Sequence, residues 1–355
     1  MGIGFALAKA ERERRAARAK LPRRTLRHFG LRTDETAAHG LQRIALGQLD
    51  LAIELLRGES PVPMPQDEAV HETRKALKRL RALMRLLEGE IGSKRATRER
   101  TVLRDAGARL AGARDAEVMV GTLDALVSRH PQKLSRRRGV VDLRERLQHE
   151  RRTTAAQALG GTLLSSSAAR EQVAEELCAL RARVTKWKLP DRPEARLTGP
   201  GLEHIYRAGR TGRRRAGRSW SGRRKLDSRA MHKWRKHVKD LRYALEVLDV
   251  RDPPAKSAAK HPGKRPNKRI VKLAHRADGL GEVLGEEHDL MLLGEKVRAH
   301  KPLKRHKRTR KLLLQAISRR RGRLRKRALR EGERLYERKP QRFVRRIRAS
   351  TRVVI

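Results

Sequence analysis

One twelve-residue pattern occurs twice in this chain. Val70-His71-Glu72-Thr73-Arg74-Lys75-Ala76-Leu77-Lys78-Arg79-Leu80-Arg81 matches Met231-His232-Lys233-Trp234-Arg235-Lys236-His237-Val238-Lys239-Asp240-Leu241-Arg242, and the shared frame is H-x-x-R-K-x-x-K-x-L-R. A chain that repeats itself in this way builds the same supersecondary unit twice. A looser match follows each copy: Leu103 to Asp115 aligns with Ala277 to Asp289, pairing Gly107 with Gly281, Leu110 with Leu284 and Asp115 with Asp289. Two elements repeated in the same order predict a duplicated helical bundle.

The repeated string reads as an amphipathic helix. At about 100° per residue, Arg74, Lys75, Lys78 and Arg85 fall within roughly 60° of His71, whereas Thr73, Leu77, Leu80, Met84 and Leu87 lie opposite. The second copy splits the same way. His232, Arg235, Lys236 and Lys239 take the basic side, and Trp234, Val238, Leu241, Leu245 and Leu248 take the apolar side. A solvated helix face ordinarily mixes signs, but this one stacks like charges at i+3 and i+4, which costs stability. An external anion relieves that repulsion. Arg offers a planar fork to two oxygens, Lys a movable point charge, and His a donor that becomes fully charged beside phosphate, so binding is expected to strengthen as pH falls.

Elsewhere the same period recurs, as in Leu41, Ile44, Ala45, Leu49, Ala52, Ile53 and Leu56, and no run alternates like a strand. The fold class expected is all-α. Ser60 to Pro65 ends one helix, Leu189 to Gly201 reads as a linker, and Pro253 to Pro266 reads as a basic loop. The domain reading is an arm at 1–32, a first helical bundle at 33–190, a linker at 191–200 and a second bundle at 201–350 that includes the basic C-terminal helices.

Charge points the same way as the motif. Lys and Arg number 90 against 40 Asp and Glu, a net charge of +50, so the partner is expected to be phosphate-rich. Aromatic residues are only 3% of the chain, which weakens a single-strand binder that stacks bases. One cysteine, Cys178, leaves no internal disulfide and no cysteine zinc site. No apolar run approaches the roughly 20 residues of a membrane span, and the opening residues reverse the order of a secretory signal. No cofactor, no metal and no membrane partner are expected, in a cytoplasmic setting. The Arg- and Ala-rich usage suggests a bacterial source.

VHETRKALKRLR and MHKWRKHVKDLRYALEVL resemble the two signature helices of the CHAD family, the α-helical domain named for its histidines. LAGARDAEV and LGEEHDLMLL are similar to the segments that follow them, and Leu202 to Arg210 resembles the Y-R-x-G-R helix that opens the family's second half; the resemblance spans residues 33 to 350. It implies two four-helix bundles related by a pseudo-two-fold, with basic faces converging on a central channel for inorganic polyphosphate. By position, His71, Arg74, Lys75, Lys78 and Arg81 line it from one half. His232, Arg235, Lys236, Lys239 and Arg242 line it from the other, with Arg207 and Arg210 adjoining and Arg114 and His288 as weaker candidates. Two departures stand out: Arg85 is matched by Glu246, and His237 by Ala76. Residues 11–15 only superficially echo the E-x-E-x-K strand of a CYTH triphosphatase, and the Lys is missing, so the expected role is non-catalytic, at polyphosphate granules.

Three other readings compete. His288-Asp289 lacks the further ligands of an HD phosphohydrolase, and His232 with His237 are not spaced as a zinc pair. A nucleic-acid, nucleoid or ribosome-associated binder is the main rival. Residues 301–355 carry 23 Lys and Arg against 3 acids, and such a stretch binds DNA or RNA through counterion release.

Overall fold

The computed structural model describes residues 29–32, 34–60, 64–110, 112–160, 167–221, 228–249 and 267–351. The arm up to residue 28 and the basic loop at 253–266 lie outside the described residues, as does the E-x-E-x-K echo. Among the described residues every regular element is a helix. Eleven of them run three turns or more: α1 (Ala37–Arg57), α2 (Gln66–Leu86), α3 (Ser93–Arg109), α4 (Gly112–Ser128), α5 (Arg138–Gly160), α6 (Ser167–Thr185), α7 (Glu194–Ser221), α8 (Ser228–Val247), α9 (Lys268–Ala299), α10 (Lys307–Leu335) and α11 (Pro340–Thr351). Single turns at Glu88–Ile91, Pro131–Leu134 and Pro302–Arg305 join some of them.

Local chemistry sets the ends. The Thr36 hydroxyl caps α1 by accepting from the His39 amide at 3.3 Å, and α1 stops at Gly58, whose φ of 76° suits a residue without Cβ. Asn267 caps α9, accepting from the Arg269 and Ile270 amides.

The apolar faces expected of α2 and α8 are the faces that are buried. Thr73, Leu77, Leu80, Met84 and Leu87 are enclosed on one, and Trp234, Val238, Leu241, Leu245 and Leu248 on the other. The partners of the two helices also correspond. α2 packs on α1 and α3, and α8 packs on α7 and α9; α1 packs on α6, and α7 on α11; α4 packs on α5, and α9 on α10. Gly107 faces Leu77 and Gly281 faces Val238, and positions 77 and 238 coincide in the two motif copies. The copies differ in helix continuity: α3 ends at Arg109, while its counterpart α9 continues unbroken to Ala299. Between the halves, α2 lies directly on α8 and α4 on α9.

The stretch expected to be a linker is shorter than the sequence suggests. α7 starts at Glu194 and runs through Pro200. The glycines flanking that proline serve close packing: a Cβ on Gly201 would overlap the Leu86 carbonyl, and one on Gly199 would overlap the Arg348 guanidinium. The basic C-terminal stretch is likewise folded, since α10 buries Leu313, Ile317, Leu324, Ala328 and Leu335. Its Arg325 is itself buried against Glu287 at 2.7 Å.

Candidate polyanion-binding face

Where α2 meets α8, ion pairs cross the junction in a reciprocal pattern. Arg79 pairs with Glu246, and Arg85 pairs with Asp240 at 2.8 Å. Position 79 is equivalent to 240 and position 85 to 246, so the same two positions meet twice with the charges reversed. The two pairs are thus interchanged when the two motif copies are exchanged. That pattern also explains why Arg85 is matched by a glutamate, and it takes Arg85 out of the set of cations open to a ligand.

Beside these pairs the cationic faces converge. Lys239 of α8 is depressed to about 7, first by burial and then by Arg235, Lys78 and Arg242, with Asp289 acting in the opposite sense. Lys236 is lowered by burial and then by Arg81, against the pull of Asp240, with Arg85 and Arg235 adding to the depression. Arg81 is lowered by burial first and by Arg85 next. Lys78, Arg81, Arg235, Lys236, Lys239 and Arg242 therefore share one electrostatic neighbourhood drawn from both motif copies. Arg74 is half-buried on the same face of α2. In the first copy the buried Glu72 pairs with Lys75 at 2.9 Å and lies 3.8 Å from His71. Lys233 takes the place of Glu72 in the second copy, whose cations thus lack that partner.

His232 sits against His288 of α9, ring centroids 4.3 Å apart and tilted by 34°. Burial lowers both: Lys236 and Arg235 add to the effect on His232, and His232, Arg235 and Lys236 with Arg321 bring His288 to about 4. The Arg235 guanidinium lies over Gly285, and its Nε is buried without a hydrogen-bond partner. Gly285 belongs to the second repeated segment, which α9 thus brings against the arginine of the first.

Not every expected residue joins this set. Arg207 is exposed and pairs with Glu203 one turn back, and Arg210 donates to the Tyr336 carbonyl at 3.3 Å at the end of α10. Arg242 is in the neighbourhood but is held by Asp278 of α9 at 2.6 Å. The side chain of Arg114 lies outside the described ones. Sequence reasoning missed Arg321, which α10 brings beside His288; a stretch that is basic throughout offers no signal for singling out one arginine.

Among the described residues no three or more His, Cys, Asp or Glu side chains gather as metal ligands. None of the described helices is long and apolar enough to cross a membrane.

A CHAD domain family model matches residues 45–261, more than half of the chain. The chain belongs to the CHAD family. CHAD domains are associated in general with polyphosphate binding and are generally non-catalytic binding domains. A crystal structure of the CHAD domain from the plant Ricinus communis is similar at 16% identity and a TM-score of 0.45, covering 93% of this chain and 96% of that one. No curated protein matches.

Proposed function

We propose that this CHAD chain is a non-catalytic binder of inorganic polyphosphate, and that the chain of phosphates lies along the face shared by α2 and α8. The observation that carries this reading is the gathering of Lys78, Arg81, Arg235, Lys236, Lys239 and Arg242, drawn from both motif copies, into one cationic neighbourhood where α2 meets α8. Such a group is costly unless an anion is present to offset it. The ligands proposed are His71, Arg74, Lys75, Lys78, Arg81, His232, Arg235, Lys236, Lys239 and Arg242, with Arg207 and Arg210 at the margin. The reciprocal pairs Arg79–Glu246 and Arg85–Asp240 support reading the halves as two four-helix bundles about a pseudo-two-fold axis. A polymer suits this face because each further phosphate engages another fixed cation at high effective concentration.

The test is direct binding of long-chain polyphosphate to the wild type and to a variant with Arg74, Lys78, Arg235 and Lys239 all changed to Ala. The reading expects at least a hundredfold loss with helix content unchanged. An unchanged affinity overturns it. The same reading places the protein in the cytoplasm at polyphosphate granules.

One observation favours nucleic acid as a second reading. The exposed side chains of α10 include Arg319, Arg323, Lys326, Arg327 and Arg330, a surface able to bind any duplex through its phosphates.

A further inference from the structure

Away from the α2–α8 face, a cavity of about 430 Å³ opens between the start of α9, the end of α10, α7 and α11. Its rim is cationic. Lys268, Lys272 and Arg276 come from α9, Arg334 from α10, Arg338 from the turn after it, and Arg346 from α11. Among the described lining residues Glu337 is the one acid, and it is taken up by Arg338 at 3.2 Å. Among the described residues no carboxylate pairs with Lys268, Lys272, Arg276 or Arg334. Like charges at i, i+4 and i+8 on α9 repel one another, and Arg334 and Arg346 add to the strain from two further helices.

The floor is apolar. Tyr206 and Phe343 stack there with centroids 3.9 Å apart, and the Tyr206 hydroxyl donates to the Leu335 carbonyl at 3.2 Å. A low-dielectric floor strengthens the field of the cations above it. Both rings are almost wholly buried, so neither offers a face to a nucleobase. What the cavity can reward is negative oxygen, not a ring.

The duplication adds an independent comparison. Counting back from Gly107 and Gly281, Lys94, Arg95 and Arg98 at the start of α3 fall opposite Lys268, Arg269 and Lys272, and the buried Ala96 falls opposite the buried Ile270. In the first half, however, the described lining comes from residues 91–98, and Arg98 is held by Glu99 at 2.6 Å. Among the described residues only the second half surrounds the repeated cations with others from α10 and α11.

The geometry points to a second anion site in this cavity, separate from the α2–α8 face, that takes a compact oligophosphate, either a free short chain or the terminal phosphates of a long one. The site stands on its own cations and does not require the reading of the α2–α8 face.

Calorimetric titration of the full chain with tripolyphosphate tests it, using wild type, the α2–α8 quadruple variant, and a cavity variant with Lys272→Ala, Arg276→Ala and Arg334→Ala. These three side chains are exposed, so the cavity variant keeps its helix content. Its cavity site is expected to bind tripolyphosphate at least tenfold more weakly than in wild type, while the quadruple variant keeps that site. A cavity variant that keeps both the wild-type affinity and the wild-type number of tripolyphosphate sites overturns the inference alone. Loss of tripolyphosphate in the cavity variant, with long-chain binding unchanged in the quadruple variant, sinks the α2–α8 reading and leaves the cavity standing. Long chains with ends blocked as phosphoramidates separate the sources: blocking weakens wild-type binding if the cavity holds chain ends and leaves it unchanged if the ligand is free. A cavity variant that loses affinity for duplex DNA but not for tripolyphosphate contradicts the assignment.

Discussion

Lys239 links the face to pH. Its ammonium is held at about 7 by burial and by Arg235, Lys78 and Arg242, so near neutral pH a large share of it is uncharged. Phosphate favours the charged form and raises the value in the complex. Polyphosphate affinity should therefore fall as pH rises from about 7 to 9, by up to tenfold per unit for a single linked proton. Lys239→Arg, which stays charged throughout, should flatten the profile; a profile as steep in that variant contradicts the assignment. Folding carries the opposite sign. The unfolded lysine binds its proton up to about 10.4 and the folded one only to about 7, so the ligand-free protein should gain stability as pH rises through that window. Melting temperatures between pH 7 and 10 check this. Burial also leaves His232 and His288 uncharged at neutral pH, so any strengthening of binding that they supply on acidification depends on the anion raising their pKa values.

At the level of elements, the α2–α8 junction is set by two cross-strung pairs. Arg79→Glu or Glu246→Arg alone brings like charges together and should destabilise by about 1–3 kcal/mol. The double swap should recover most of that loss in denaturant unfolding; strict additivity of the two single losses contradicts the pairing. Gly201→Ala drives a methyl into the Leu86 carbonyl and should cost about 1–3 kcal/mol or more, seen as a lower melting temperature. A neutral outcome means α7 shifts freely at its start.

These elements also show what was legible in the sequence. The two faces of α2 and α8 were, because a period of 3.6 sorts Leu77 from Lys78 without reference to any other helix. The reciprocal pairs were not, because they join residues more than 150 positions apart and depend on how two helices cross. Pro and Gly at 199–201 read as a linker because sequence alone does not distinguish a glycine that breaks a helix from one that lets a neighbour approach. The family resemblance placed Arg207 and Arg210 beside the channel, while folding turns them toward Glu203 and Tyr336. The basic C-terminal stretch hid a core face, Leu313 to Leu335, under its charge.

At the scale of the whole molecule, a net charge of +50 opposes compaction and rewards any polyanion. Binding to the folded state alone adds stability by mass action, so polyphosphate should raise the melting temperature, and the rise should shrink as salt is increased because screening weakens every contact. A rise independent of salt contradicts an electrostatic grip. Charge alone does not choose among polyanions; under the proposed reading the convergent face gives the choice.

The most direct measurement is a competition at near-physiological salt in which labelled long-chain polyphosphate is displaced by unlabelled polyphosphate or by duplex DNA at matched phosphate concentration. The account predicts that polyphosphate competes more than tenfold better, about 1.4 kcal/mol, and that changing Arg74, Lys78, Arg235 and Lys239 to Ala removes the preference. DNA competing equally well, with the quadruple variant indistinguishable from wild type, contradicts it.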